Sequence, residues 1–182
     1  RTNEVFFDDV RVPASCMVGE ENSGFYTIAV ALDYERVFLG KSVQIRRELD
    51  RLINYCKEFS TEGRTLFDDP VVQDRLVRMH IDVERVRMLN YKVAWMIDQG
   101  EVPNAEASLQ KVLSSEIQQR IANEGMQLMG RYGQVALNSP YAPSDGSLVE
   151  FWLLSPMMRF GGGTNEIQRN IIAERMLGMP RK

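Results

Sequence analysis

The sequence predicts an all-α fold: an antiparallel bundle of long helices, a four-helix bundle plus a short helix, preceded by a short remnant of a β domain. Three observations predict it. Apolar residues recur at alternating steps of three and four along the longest uninterrupted stretches, the spacing of antiparallel bundle packing. Glycine and proline punctuate those stretches at short intervals, so consecutive helices must fold back on one another. Only the first residues read as extended chain. The 182 residues are 44% hydrophobic and 26% charged, values of an ordinary folded protein and far from those of a disordered one.

In chain order, Glu4-Val5-Phe6-Phe7 and Val10-Arg11-Val12-Pro13 read as two short extended pieces around an Asp8-Asp9 turn. Strands this short cannot form a sheet alone. With Arg1 rather than Met at the start, they predict that residues 1–21 are the trailing edge of a β domain and residues 22–182 a helical domain. A chain of this kind is expected to be a fragment, and inactive by itself. A first helix is predicted from about Gly24 to Phe59, stopped by Thr61-Glu62-Gly63. A second runs from Pro70 to about Gln99, with the seam Val72, Leu76, Met79, Val83, Val86, Asn90, Val93 and Ile97. Asn90 is the polar member and is placed to set register against a neighbour. A third covers Asn104 to Met129, with a stripe of Leu109, Leu113, Ile117, Ile121 and Leu128. At 1.5 Å per residue these helices span roughly 40–50 Å. Shorter helices follow at about Ser147–Met158 and Asn165–Leu177, separated by Gly161-Gly162-Gly163.

Composition narrows the function classes. The net charge of −3 and a pI near 5.3 supply no electrostatic footprint for nucleic acid or anionic membrane. No apolar run approaches the ~20 residues of a membrane span, and no signal peptide opens the sequence. Cys16 and Cys56 fit neither a disulfide framework nor a zinc pattern, so a reduced, intracellular setting is expected. The single histidine, His80, sits among Met79, Ile81 and Val83 in a helical pattern. It reads as a core or surface residue and has no partners for a His-based metal site. The ten methionines are dispersed through the stripes and read as core filler.

One residue breaks the pattern. At 100° per residue the stripe of the first helix passes through Ile28, Leu32, Leu39, Val43, Leu49 and Ile53, and Glu35 falls inside it. A charged glutamate on a buried face is costly unless paired or neutral. It is either half of a buried ion pair with an arginine of another helix, or a carboxylate in an apolar cleft. In the cleft, desolvation would raise its pKa toward the range useful to a general base. Arg46 shares the stripe but lies about 16 Å away along the axis, too far to be the partner. Periodicity alone leaves both readings open.

The strongest local signal runs from Arg159 to Asn170. Its three glycines permit close backbone approach and positive φ, Thr164 is placed to cap the last helix, and N–H groups at a helix start suit an anion or a polarised carbonyl. Read onward, Gly163-Thr164-Asn165-Glu166-Ile167-Gln168-Arg169-Asn170-Ile171-Ile172-Ala173-Glu174-Arg175 resembles the G-T-x-E/Q-I-Q-R-x-I-I-A-E/R-R pattern of the acyl-CoA dehydrogenases, in their C-terminal helical domain. Val5 to Pro13 is similar to the V-x-F-D-x-V-x-V-P that closes the family's β domain, and Gln127-Leu128-Met129-Gly130-Arg131-Tyr132-Gly133 to its flavin-contacting Q-x-x-G-G-x-G loop. The resemblance covers essentially the whole chain.

The resemblance implies an FAD-dependent α,β-desaturation of acyl-CoA thioesters. The family's usual base position, two residues before the threonine, is occupied here by Gly162. Isovaleryl and long-chain type members instead carry the glutamate on the first helix in an L-D-x-E-R setting, and this chain reads Leu32-Asp33-Tyr34-Glu35-Arg36. Glu35 is therefore the implied base, with Asp33, Arg36, Gly162 and Gly163 toward the acyl-CoA substrate. Arg64, Gln127, Gly130, Thr164 and Glu166 are implied FAD contacts, although Asp68 stands where the family's R-x-x-F-G has its glycine, and Arg131 replaces a loop glycine. Electron-transfer flavoprotein is the implied acceptor, homodimers or homotetramers (or a heteromer) the implied assembly, and fatty acid β-oxidation within lipid metabolism the implied setting. The expected location is bacterial cytoplasm or mitochondrial matrix. A non-catalytic subunit of a heteromeric dehydrogenase, an acyl-CoA oxidase and a helical interaction module stay open as alternatives.

Overall fold

The structure, a computed structural model, describes residues 3–38, 40–135 and 137–181, and the side chains at 33, 34 and 36–38 lie outside that description. Among the described residues there are six α-helices: α1 (Gly24–Phe38), α2 (Ser42–Glu58), α3 (Pro70–Asp98), α4 (Asn104–Met129), α5 (Ser147–Leu154) and α6 (Asn165–Ile171). A two-stranded antiparallel ribbon, β1 (Ser60–Thr61) and β2 (Arg64–Thr65), joins α2 to α3. The all-helical expectation holds.

Helix α4 is the hub and packs against α1, α2, α3, α5 and α6. One core cluster joins α2 (Ile45, Leu49, Leu52, Cys56), α3 (Val72, Leu76, Met79, Val83, Val86), α4 (Ile117, Ile121, Ala122, Met129) and α5 (Leu148, Phe151). The predicted seam of α3 is this buried face, with Val93 beside it and Asn90 and Ile97 half-buried. Asn90 does tie neighbours together: its Nδ2 donates to the Gly40 carbonyl at 2.6 Å and to Ser42 Oγ at 2.8 Å, while its Oδ1 accepts from Gln110 Nε2 at 2.6 Å.

That polar knot explains the main departure from expectation. The predicted helix from Gly24 to Phe59 is two helices, because α1 ends at Phe38 and α2 starts at Ser42. At Gly40 a Cβ would collide with the side-chain ends of Gln110 and Asn90, so a larger residue would have to displace that hydrogen-bonded pair. The break resets the helical phase. Helix α2 buries Ser42, Ile45, Glu48, Leu49, Leu52 and Cys56, whereas Val43 is 74% exposed and Ile28 of α1 is 53% exposed. The stripe drawn through both helices therefore does not exist as one face, and Leu39 lies outside the described residues.

The other corrections are at helix ends. The predicted Ser147–Met158 helix is α5 followed by a 3-10 turn over Ser155–Arg159; Pro156 has no N–H to continue the α pattern. Helix α6 passes into a π turn over Ile172–Met176. Residues 4–7 and 10–13 carry no strand, and Val5, Phe6, Phe7, Val10 and Val12 are all exposed. In place of the expected turn the chain shows a bend at Asp9, whose φ is 46°.

Candidate active site

The Gly161–Gly163 bend is held by buried polar groups rather than by apolar packing. Gly162 and Gly163 sit at φ 68° and 94°, a region closed to most side chains. A Cβ at Gly163 would also come within 2.6 Å of Gln168 Nε2. Gln168 is fully buried and donates to the Gly162 carbonyl at 3.3 Å. On the near side of the bend, Lys111 of α4 is 1% exposed, and its Nζ donates to the Arg159 carbonyl and to Asn165 Oδ1, both at 2.7 Å. Ser115 and the Asn165 amide add a further bond at 3.1 Å. Thr164 caps α6, its hydroxyl accepting from the Ile167 N–H at 3.3 Å.

These anchors bring the bend against α1. A cavity of about 210 Å³ is lined by Glu35, Lys41, Lys111, Gln118, Met158 and Gly162 among others. It holds a carboxylate that can take a proton, backbone of a glycine bend that can approach a ligand closely, and methionine walls (Met157, Met158). Two predicted site residues from distant parts of the sequence, Glu35 and Gly162, thus line one cavity. Burial is where the expectation for Glu35 fails. The residue is exposed in this chain, on a helix whose own part of the stripe is largely uncovered: Ile28 is 53% exposed and Leu32 only half-buried. None of the ion pairs among the described residues includes Glu35, and Arg46 instead pairs with Asp50 at 2.9 Å and Glu84 at 3.6 Å. The side chains of Asp33 and Arg36 lie outside the described residues. Gly163 adjoins the cavity through Gly162.

The remaining predicted positions lie elsewhere. Arg64 is exposed on β2, beside a capping box in which the Thr65 N–H and hydroxyl donate to Asp68 Oδ2 at 2.7 and 2.9 Å. Those bonds, with Arg64 nearby, hold the Asp68 carboxyl below its usual range. The aspartate in the family's glycine position is thus a local turn element, and Asp69 next to it caps α3 by accepting from the Val71 N–H at 2.8 Å. At the far end of α4, Gln127 Oε1 accepts from Arg75 Nη2 at 2.9 Å, and Arg75 Nε also binds Glu124 at 2.6 Å. Gly130, at φ 55°, ends α4. Glu166 is exposed at the start of α6, where its own N–H and the Thr164 hydroxyl lower its pKa. Arg64, Gln127, Gly130 and Glu166 are exposed and Thr164 is half-buried.

Lys111, Asn165 and Gln168 escaped the sequence reading. Lys111, Ser114, Ser115 and Gln118 recur at helical spacing, and a face of that kind looks solvated until partners bury it. His80 is half-buried beside Ile53, Phe67 and Leu76, in keeping with a structural role. Cys16 is exposed, Cys56 buried, and neither is in a disulfide. No helix among the described residues is long and apolar enough to cross a membrane.

Comparison with known proteins bears on this geometry. The chain is 34% identical over 99% of its length to acyl-CoA dehydrogenase FadE26 of Mycobacterium tuberculosis, covering 46% of that protein. It is 28% identical over 97% of its length to the mitochondrial long-chain specific acyl-CoA dehydrogenase of Sus scrofa, covering 40% of it. Among solved structures, a chain of the ChsE4-ChsE5 complex from Mycobacterium tuberculosis superposes with a TM-score of 0.86 at 34% identity, over 97% of this chain and 46% of that one. The chain therefore spans about half the length of these relatives. Residues 22–177 match the family described as acyl-CoA dehydrogenase, C-terminal domain. The chain belongs to the acyl-CoA dehydrogenase family, as its C-terminal domain.

Proposed function

We propose that this chain is the C-terminal part of an FAD-dependent acyl-CoA dehydrogenase that desaturates acyl-CoA thioesters between the α and β carbons, with Glu35 as the base. Residues 1–21 are then the edge of the preceding β domain. The observation that carries the reading is the shared cavity: Glu35 of α1 and Gly162 of the bend line it together, although they are far apart in sequence. An α proton beside a thioester is too weakly acidic for a carboxylate unless the developing enolate oxygen is stabilised. Backbone N–H groups of the glycine bend are suited to that role, and Gln168 and Lys111 hold the bend rigid enough to perform it. Glu35 takes the α proton from the adjacent helix, where the absence of a side chain at Gly162 leaves it the approach. The exposure of Glu35 in this chain fits a site that is closed by parts of the protein outside it.

FAD, when bound, would supply the hydride acceptor for the β carbon. The donor chemistry of the implied contacts fits it: the Arg64 guanidinium suits a pyrophosphate, and the Gln127 amide and the start of α6 suit neutral acceptors. The exposure of Arg64, Gln127 and Glu166 suits contacts completed by another subunit or by other parts of the protein. Electron-transfer flavoprotein is the acceptor this reading entails, and lipid metabolism its setting.

The test is Glu35→Gln in the intact protein. It is expected to retain FAD and to lose turnover by at least the 10²–10⁴-fold typical of a general base. Normal dehydrogenation by the variant would remove Glu35 from the mechanism. One further reading has a specific observation behind it. The likeness to a chain of the ChsE4-ChsE5 complex favours assembly with a second, different subunit. Flavin stoichiometry of the purified assembly separates a catalytic from a non-catalytic member.

A further inference from the structure

Beside the candidate cavity lies a second chamber of about 220 Å³, and Lys41, Gln118 and Met158 belong to the walls of both. The second chamber is the more polar in its residues. Its lining includes Lys41 and Arg51 as well as Glu48 and Glu150, so its formal charge balances, and Arg51 pairs with Glu48 one turn away on α2. Glu48 is its unusual member. It lies on the buried face of α2 with Ile45, Leu49 and Leu52, and is 6% exposed. Its Oε1 accepts from Arg51 Nη1 at 2.5 Å, but its Oε2 is buried and accepts from no group among the described residues. Ser147 Oγ, at the start of α5, also lines the chamber and is likewise buried without a partner among the described residues.

A carboxylate oxygen can only accept, and burying one without a donor is costly. A leucine at position 48 would satisfy the packing of α2 without that cost. The acid is thus explained by a donor brought in from outside. A cation would meet Lys41 and Arg51, and an anion would meet Glu48 and Glu150, so the balanced chamber fits a neutral donor. We infer that the chamber receives the far end of the acyl group, and that Glu48 and Ser147 select thioesters carrying a hydroxyl there. The inference rests on the acyl-CoA reading above and adds the substrate class to it.

The test measures binding, not turnover. S-alkyl-CoA thioethers of increasing chain length, each with and without a terminal hydroxyl, are titrated calorimetrically into the intact protein. At the length that reaches the chamber, the hydroxylated ligand is expected to bind about 10- to 100-fold more tightly, the worth of a hydrogen bond to a charged acceptor. That ratio should fall to about one in Glu48→Leu, where Arg51, already partly exposed, can turn to water, and should shrink in Ser147→Ala. Equal affinities at every length in the unmodified protein overturn the inference while leaving the acyl-CoA reading intact, because water then suffices as the donor. A hydroxyl preference that survives both substitutions also overturns it. Binding of neither ligand series overturns the acyl-CoA reading and this inference together. If Glu48→Leu does not fold, Ser147→Ala and the unmodified protein still decide the matter.

Discussion

Toward α2 and α3, the central helix α4 offers Ile117, Ile121 and Ala122 to a core of leucine, valine and isoleucine. Toward α1 and the segment around the glycine bend, the same helix offers Lys111, Ser115 and Gln118, all buried. The first region is held by non-directional apolar burial and tolerates some imprecision. The second is held by directional bonds, Lys111 to Arg159 and Asn165 and Gln168 to Gly162, that fix where the backbone of the bend lies. The contrast teaches which part of the bundle supplies stability and which supplies geometry. A helix burying both kinds of face has little amphipathic contrast, which is why its apolar stripe alone understated how much of it is enclosed.

The largest expected effect breaks the apolar side. Leu49→Ala, at a fully buried position, should cost about 2–5 kcal/mol of stability. Urea unfolding should show the loss as a shift of one cooperative transition. A smaller and more local effect is expected on the polar side. Lys111→Met keeps the length of the side chain but strips the Arg159 carbonyl of its donor and leaves Asn165 Oδ1 with Ser115 alone, at about 1–3 kcal/mol in all. Amide hydrogen exchange should quicken across residues 159–165 while α2 and α3 keep their protection. Equal loosening of both regions would show that the division drawn here is false.

The smallest effect is a matter of pH. Burial pushes the Cys56 thiol up to about 11 from 9.0, and pushes Tyr55 up to about 12 from 10.0, with Cys56 and Tyr132 adding to it. The folded state thus holds these protons longer than the unfolded chain does. Their stabilising effect is complete below the unfolded values and is lost as pH rises through the folded ones. Stability should therefore fall from about pH 9 toward pH 11, the Cys56 window. Cys56→Val should flatten that part of the decline, as followed by urea titration at stepped pH. The polar side holds neither group, so exchange at residues 159–165 should follow only the global loss.

The bounds of α3 and α4, the buried seam from Val72 to Val93 and the Thr164 cap were all legible in the amino-acid order. Each depends on backbone bonds and side-chain spacings within about four residues, and so is written locally. Glu35 was legible as a candidate, because its local motif and the glycine run near the other end of the chain agree. Its exposure was not, because periodicity shows which residues share a face but not whether anything packs over it. The break at Gly40 is imposed by Asn90 and Gln110, which reach it from two other helices. Equally, nothing local distinguishes Lys111, Gln118 and Glu48 from residues of a solvated face. Lys111 becomes an anchor only when Asn165, 54 residues away, arrives beside it. Periodicity settles which segments become helices, whereas the burial of a polar face and the assembly of the cavity between α1 and the glycine bend depend on distant partners, and those are present only once the bundle has closed.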